Sequence, residues 1–371
     1  MAGEDTRRAP AAFAFTGAQG TAGPSGSAEA VIGDDALTVG PVAVAFLDAD
    51  ALRAADYRIE LDCWPDGRLA LTQLGRRFET FTRELRRARN QARVEGLLAH
   101  GITMPDSFAG ALLGAGTPAP AEALVFDTHV TVVPEDGDPF ELPLGALTGV
   151  QAGEDPPCVR LASGRAVTAI GQLGRQRDAL VRAVERRRNA QAQLLAETTG
   201  QSGFADGLAV PRSAVRDFDG LVRRFTAPER AEGAGRLVAG AQGGEARLGF
   251  ACLLDPESEA LAGGAALPEN WAAFLLVPVG RQVAFEILAG PAAATYVFEG
   301  EAGAVGADLQ ALHLRRAALA LTEQEAQLTP LNPCRLALRR LEPLKRLRAA
   351  TRARVIHNET WGEALTKALA G

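Results

Sequence analysis

The chain has 371 residues, 47% of them hydrophobic and 23% charged, enough for two or three soluble globular domains. A formal net charge of −6 excludes a molecule that is basic throughout, so binding to nucleic acid or an anionic membrane would need a local patch. Arg is abundant while Lys occurs only at Lys345 and Lys367, a bias that a GC-rich coding genome produces without any demand for phosphate recognition.

From the N-terminus, the apolar stretch Ala11 to Phe15 is too short for a signal-peptide core. No run approaches the length of a membrane span, which predicts a cytoplasmic chain. Short strands are expected at Ala36 to Val39, Val42 to Leu47, Tyr57 to Asp62 and, after a Pro65-Asp66-Gly67 turn, Leu69 to Thr72. The segment QLGRRFETFTRELRRARN follows, from Gln73 to Asn90. Its apolar positions Phe78, Phe81, Leu85 and Ala88 make one helical stripe, with arginines on the other faces.

Gly114 to Pro120 (GAGTPAP) has linker composition. Ala123 to Val133 then alternates at period two, Glu135-Asp136-Gly137-Asp138 reads as a hairpin turn, and Pro139 to Leu144 as the return strand. Leu147 to Gln151, Cys158 to Leu161, a Ser163-Gly164 turn and Ala166 to Ile170 continue the β pattern. They lead into QLGRQRDALVRAVERRRN, Gln172 to Asn189, which aligns with Gln73 to Asn90 at an offset of 99 residues and without a gap. One domain type is therefore expected twice.

The succession of antiparallel strands, tight turns and a single closing amphipathic helix resembles the pleckstrin-homology-like (PH-like) superfold over residues 10–100 and 118–198. That resemblance implies an α+β, mainly antiparallel architecture of two partly open barrels, each closed by its C-terminal helix, and a protein-binding adaptor more than an activity. Phosphoinositide-binding members of that superfold use basic residues between their first two strands. The loop matched to it here, Glu135 to Asp138, is acidic.

Beyond Thr198 to Gly207, a second linker by composition, strands are expected at Arg236 to Ala241, Ala246 to Leu254, Trp271 to Val279, Gln282 to Leu288 and Ala294 to Phe298, then a helix from Val305 to Gln327. This third β-rich domain, residues 209–328, repeats the order of strands before a helix and admits the same fold a third time. The tail, residues 331–371, reads as a basic amphipathic helical segment carrying Arg335, Arg339, Arg340, Lys345, Arg346, Arg348, Arg352 and Arg354.

Those tail cations form the candidate interaction surface. Arg83, Arg86 and Arg87 on the first repeated helix, and Arg182, Arg186 and Arg187 on the second, are secondary basic faces. No exposed aromatics interleave with them as in a single-strand binder. The partner these features favour is another protein, ahead of nucleic acid or anionic lipid.

Cys63, Cys158, Cys252 and Cys334 are far apart and read as free thiols. His100, His129, His313 and His357 fall on separate segments, and neither H-E-x-x-H nor a G-x-S-x-G elbow occurs. Asp127 and His129, two apart on one expected strand, are the single pair placed like a metal or general-base site, with an exposed polar strand face as the simpler reading. His357-Asn358-Glu359 reads as a helix boundary, with Asn358 or Thr360 capping the last segment. No catalytic residue, cofactor or metal site is expected.

Overall fold

A computed structural model describes residues 6–63, 67–97, 105–114, 116–164, 166–252, 267, 271–288, 294–312, 314 and 342–370. The architecture is α+β, with three sheets whose paired strands all run antiparallel. Seven α-helices lie among the described residues.

The first sheet contains β1 (Arg8–Thr16), β2 (Ala22–Ile32), β3 (Ala36–Val39), β4 (Val42–Ala45), β5 (Ala49–Ala55), β6 (Arg58–Cys63) and β7 (Gly67–Thr72) in the order β4-β3-β2-β1-β7-β6-β5. The second repeats it with β8 (Asp106–Leu113), β9 (Ala119–Val125), β10 (His129–Pro134), β11 (Phe140–Pro143), β12 (Leu147–Glu154), β13 (Pro157–Ser163) and β14 (Ala166–Gly171), in the order β11-β10-β9-β8-β14-β13-β12. Each sheet is followed by one long helix, α1 (Phe78–Leu97) or α2 (Arg177–Thr199). Phe81, Leu85 and Ala88 of α1 share a buried cluster with Leu37, Phe46, Ile59 and Leu71 of their sheet. Leu180, Ala183 and Val184 of α2 do the same with Val130, Leu144, Val159 and Ile170.

The doubled QLGR tetrad is the turn that sends each chain from sheet to helix. Gln73 and Gln172 take φ of 60° and 57°, and Gly75 and Gly174 take 56° and 53°. Leu74 and Leu173 between them are buried. A Cβ at either glycine would meet nothing within 4 Å, so it is the left-handed backbone that calls for glycine there. One 3-10 turn follows in each copy, closed by Arg77 N–H on Leu74 O (3.1 Å) and Gln176 N–H on Leu173 O (2.9 Å).

Several expectations need correction. Asp106–Leu113 is a strand of the second sheet, so Gly114 to Pro120 connects β8 with β9 and does not separate two units. The run Ala123 to Val133 is two strands, because Phe126 to Thr128 turn the chain between β9 and β10. Consequently Glu135 to Asp138 joins the third and fourth strands of its unit, not the first two.

The third sheet is built differently. β15 (Ala209–Pro211), β16 (Arg247–Cys252), β17 (Trp271–Val279), β18 (Gln282–Ile287), β19 (Ala294–Glu299) and β20 (Thr351–Ile356) lie side by side in chain order, so the strand order of the first two sheets is not repeated. Both faces are covered. Phe274, Phe285, Tyr296 and Phe298 pack against α5 (Ala302–Ala311) and α6 (Glu342–Ala350), while Phe250, Leu275, Ala284 and Val297 pack against α3 (Phe218–Phe225), α4 (Ala231–Ala239) and α7 (Trp361–Ala370). Residues 236–239, expected as a strand, belong to α4, whose Ala234, Leu237 and Val238 fall on one helical stripe. Tail residues 351–356 form β20, paired with β19, because alternating Ala353 and Val355 complete the sheet face. The helix expected from Val305 to Gln327 ends at Ala311, where Leu312 and Leu314 turn the chain, Leu314 with φ of 51°; its remainder, residues 315–327, together with Arg335, Arg339, Arg340, His100, His313 and Cys334, lies outside the described residues.

Candidate functional site

On α1, Arg86, Arg89, Asn90 and Arg93 are spaced i, i+3, i+4 and i+7, which puts them on one face. That face grips the acidic turn between β10 and β11. Arg89 Nη1 meets Asp138 Oδ1 at 2.7 Å, Arg93 Nη1 meets the same oxygen at 2.7 Å, and Arg86 pairs with Asp136. Asn90 Nδ2 donates to the carbonyls of Pro134 (3.2 Å) and Gly137 (3.0 Å), so it reads the backbone of the turn. Arg89 is also fixed from its own side, donating through Nε to Ala49 O (3.1 Å) and through Nη2 to Asp50 O (2.8 Å).

The electrostatics follow from this enclosure. Burial alone would push the Asp138 carboxyl up, but the Arg89 and Arg93 charges outweigh it and hold its pKa below the usual value of 3.8. For Arg89, burial is the largest influence and lowers its pKa, against the pull of Asp138. A guanidinium stays charged under such a shift. The arginines are thus not a uniformly solvated face, as their sequence pattern suggests. Arg83 and Arg87 are exposed, Arg86 is half-buried, and Arg89 and Arg93 are buried.

On the second helix Arg182 is exposed, while Arg186 and Arg187 both reach Asp106 (3.1 and 2.7 Å) and Arg187 also reaches Asp127 (3.2 Å). The tail cations are similarly engaged. Lys345 pairs with Glu342 at 2.7 Å, Arg346 with Asp308 at 2.5 Å, and Arg352 with Glu299. Arg348 is half-buried on α6 and Arg354 is exposed on β20.

Asp127 and His129 do not form a site. Asp127 is exposed in the β9–β10 turn, whereas His129 is wholly buried, stacked on Phe126 with centroids 4.6 Å apart and bonded through Nδ1 to Thr128 Oγ1 at 2.8 Å. Glu141 lies 3.6 Å from His129 Nε2. Among the described residues, no three His, Cys, Asp or Glu side chains converge to hold a metal ion.

A second polar centre lies in the third sheet. Glu286 on β18 is buried, next to the apolar residues Phe285 and Ile287. Its carboxylate accepts from Thr295 Oγ1 at 2.5 Å, meets His357 Nε2 at 3.1 Å, and lies 3.8 Å from Arg230 Nη1. Trp361 donates from Nε1 to Thr295 Oγ1 at 2.8 Å and lines a cleft of about 770 Å³ between α4 and α7. A carboxylate, an imidazole and a hydroxyl in mutual contact are the parts of a nucleophilic relay, but Thr295 has no exposed surface from which to reach a substrate. The cluster satisfies a buried charge and ties the end of β20 to the sheet. Just ahead of α7, Asn358 Oδ1 accepts from Thr360 N–H at 3.0 Å.

Neither centre was apparent from the sequence. Three acids within Glu135 to Asp138, against three arginines on one helical stripe, were the available signal for the first. A lone Glu within QVAFEIL was the signal for the second. No protein-family model matches the chain, and no curated protein matches its sequence.

Proposed function

We propose that the chain is a non-enzymatic, cytoplasmic interaction protein, in which two PH-like domains and a third α/β unit form a scaffold that presents open sheet edges to a protein partner. The shared strand order and following helix of the first two sheets support the PH-like reading. The observation that carries the functional reading is the outer edge of β12. Sheet edges are usually blunted by shortness, proline or cationic side chains. β4 and β11 have four residues each, β15 has three and ends in Pro211, β5 carries Arg53, and β20 carries Arg352 and Arg354. β12 runs for eight residues, LTGVQAGE, with no proline, lysine or arginine of its own, and arginines of α2 take carbonyls near its two ends, Arg188 at Leu147 and Arg177 at Gly153. An extended segment of a partner can add to such an edge through main-chain hydrogen bonds.

Binding to nucleic acid or an anionic membrane is less favoured, because many of the described cations already have acidic partners within the chain.

The test is affinity capture from the native host, with and without nuclease, using the full chain and Ala152→Lys on the exposed edge of β12. A nuclease-resistant protein partner lost in Ala152→Lys, with unchanged thermal melting, is the expected result. Capture of nucleic acid alone, abolished by charge reversal at Arg83, Arg87 and Arg182, would overturn it.

A further inference from the structure

The repeat provides an internal comparison. Shifted by 99 residues, the turn-gripping face of α1 becomes Glu185, Arg188, Asn189 and Ala192 on α2. Arg188 is anchored at the matched carbonyl through a different nitrogen: its Nη2 donates to Leu147 O at 2.7 Å, where Arg89 uses Nε on Ala49 O, and Leu147, like Ala49, follows a single 3-10 turn. Asn189 repeats Asn90. In the first copy Arg89, Asn90 and Arg93 are buried; in the second, Glu185, Asn189 and Ala192 are exposed and Arg188 is half-buried. Among the described residues, the recognition geometry filled by an acidic turn on α1 is therefore bare on α2.

We propose that this face of α2 docks an exposed β-turn from a partner protein, a turn with Lys or Arg at its second position, Gly at its third and Asp at its fourth. The chemistry follows residue by residue from the occupied copy. Asn90 bonds the main-chain carbonyls of Pro134, just before the turn, and of Gly137, its third residue, so Asn189 recognises turn backbone of any sequence. Arg89 Nη1 takes the fourth-position Asp138, and Arg188, held through Nη2 on Leu147 O, keeps Nη1 to offer to a carboxylate. The specificity changes at Glu185. Arg86 takes the second-position Asp136, whereas a carboxylate in its place repels an acid and attracts a cation. Ala192 removes the second claim that Arg93 makes on the fourth-position Asp. The chain's own turn, with Asp136 second, is thereby selected against on α2. This inference rests on the reading of the chain as an interaction protein and names the kind of partner surface it takes.

The test uses the full-length chain and two fluorescent cyclic hairpins copying residues 132–140, one unaltered and one carrying Asp136→Lys, titrated by anisotropy. The Lys hairpin should bind saturably and more tightly than the unaltered one. Asn189→Ala should weaken it about tenfold, the loss of one or two good hydrogen bonds. Glu185→Arg should reverse the preference between the hairpins, while Arg83→Ala on the exposed face of α1 should leave Lys-hairpin binding unchanged. Absence of binding up to about 1 mM, insensitivity to Asn189→Ala and Glu185→Arg, or dependence on Arg83 would overturn the proposal. A protein partner still captured through β12 in that case would leave the interaction-protein reading intact, so the two fail separately.

Discussion

Replacing Arg89 by Ala should destabilise the protein far more than the repeat-matched Arg188→Ala. Arg89 is 3% exposed and makes three bonds, two to carbonyls of its own unit and one to Asp138. A hydrogen bond from a charged donor contributes about 1.5–3 kcal/mol. The two internal bonds therefore account for about 3–4 kcal/mol after allowance for imperfect geometry. The Asp138 pair adds less, about 0.5–1 kcal/mol, because that carboxylate is 52% exposed and screened by solvent. The sum, about 4 kcal/mol, lies within the range for removing one partner of a buried pair. Arg188 makes one bond to a carbonyl from a half-buried position, worth about 1–2 kcal/mol.

Urea denaturation followed by circular dichroism, read at the first transition because a chain with several units need not unfold in one step, gives both numbers. Hydrogen exchange at Asp136 to Asp138 should rise in Arg89→Ala and not in Arg188→Ala. Equal losses in the two variants, or unchanged exchange at the turn in Arg89→Ala, would refute the account of how the first two units are joined.

Asp138 has a folded pKa below its unfolded value of 3.8, so its contribution is complete above that value and is lost as pH falls through the folded pKa; the turn should therefore detach from α1 only in strong acid, measurable as protease sensitivity between pH 5 and 2. Phe81→Ala or Leu85→Ala should cost about 2–5 kcal/mol by chemical denaturation, since both are fully packed between α1 and its sheet, while Arg87→Glu on the exposed face should cost less than about 0.5 kcal/mol. Burial pushes the thiols of Cys63 and Cys252 up to about 11 and about 12, so both should resist iodoacetamide at pH 8 until the chain is denatured, as followed by peptide mass mapping.

The parts of the fold legible in the sequence were those where local and tertiary preferences agree. The helices α1 and α2, the hairpin at Glu135 to Asp138 and the apolar strands β17 to β19 all show the appropriate pattern, whereas the QLGR tetrads, which that pattern counts into the helices, are turns. β1 and β2 were not legible, because RAPAAFAFT and AGPSGSAEAVI are rich in Ala, Gly, Pro and Ser, residues with little intrinsic strand preference. They are strands because β1 pairs with both β2 and β7. β20 was hidden for the complementary reason. TRARVI adjoins a helical, arginine-rich segment, and only its partner β19, more than fifty residues earlier in the chain, makes it extended. The site was hidden more deeply still, since one helical stripe of cations looks alike in sequence whether water or an acidic turn lies against it.

Duplication explains why the two helices are alike and yet placed differently. A residue retained at matched positions in two copies with different surroundings serves something the copies share, and Arg89 and Arg188 share the anchoring of the residue after a 3-10 turn. Residues that differ at matched positions track what differs outside, as Arg86 and Arg93 face an acidic turn while Glu185 and Ala192 face solvent. Asn189 is the exception that discriminates. Asn90 holds the turn, and Asn189 has the same side chain where, among the described residues, no turn is bonded to it. An exposed asparagine in mid-helix contributes nothing through helix propensity, which would favour Ala, Gln or Glu there. Its presence beside an anchored arginine is what a turn-binding face requires, and a helix needing only to cover its own sheet would not call for it.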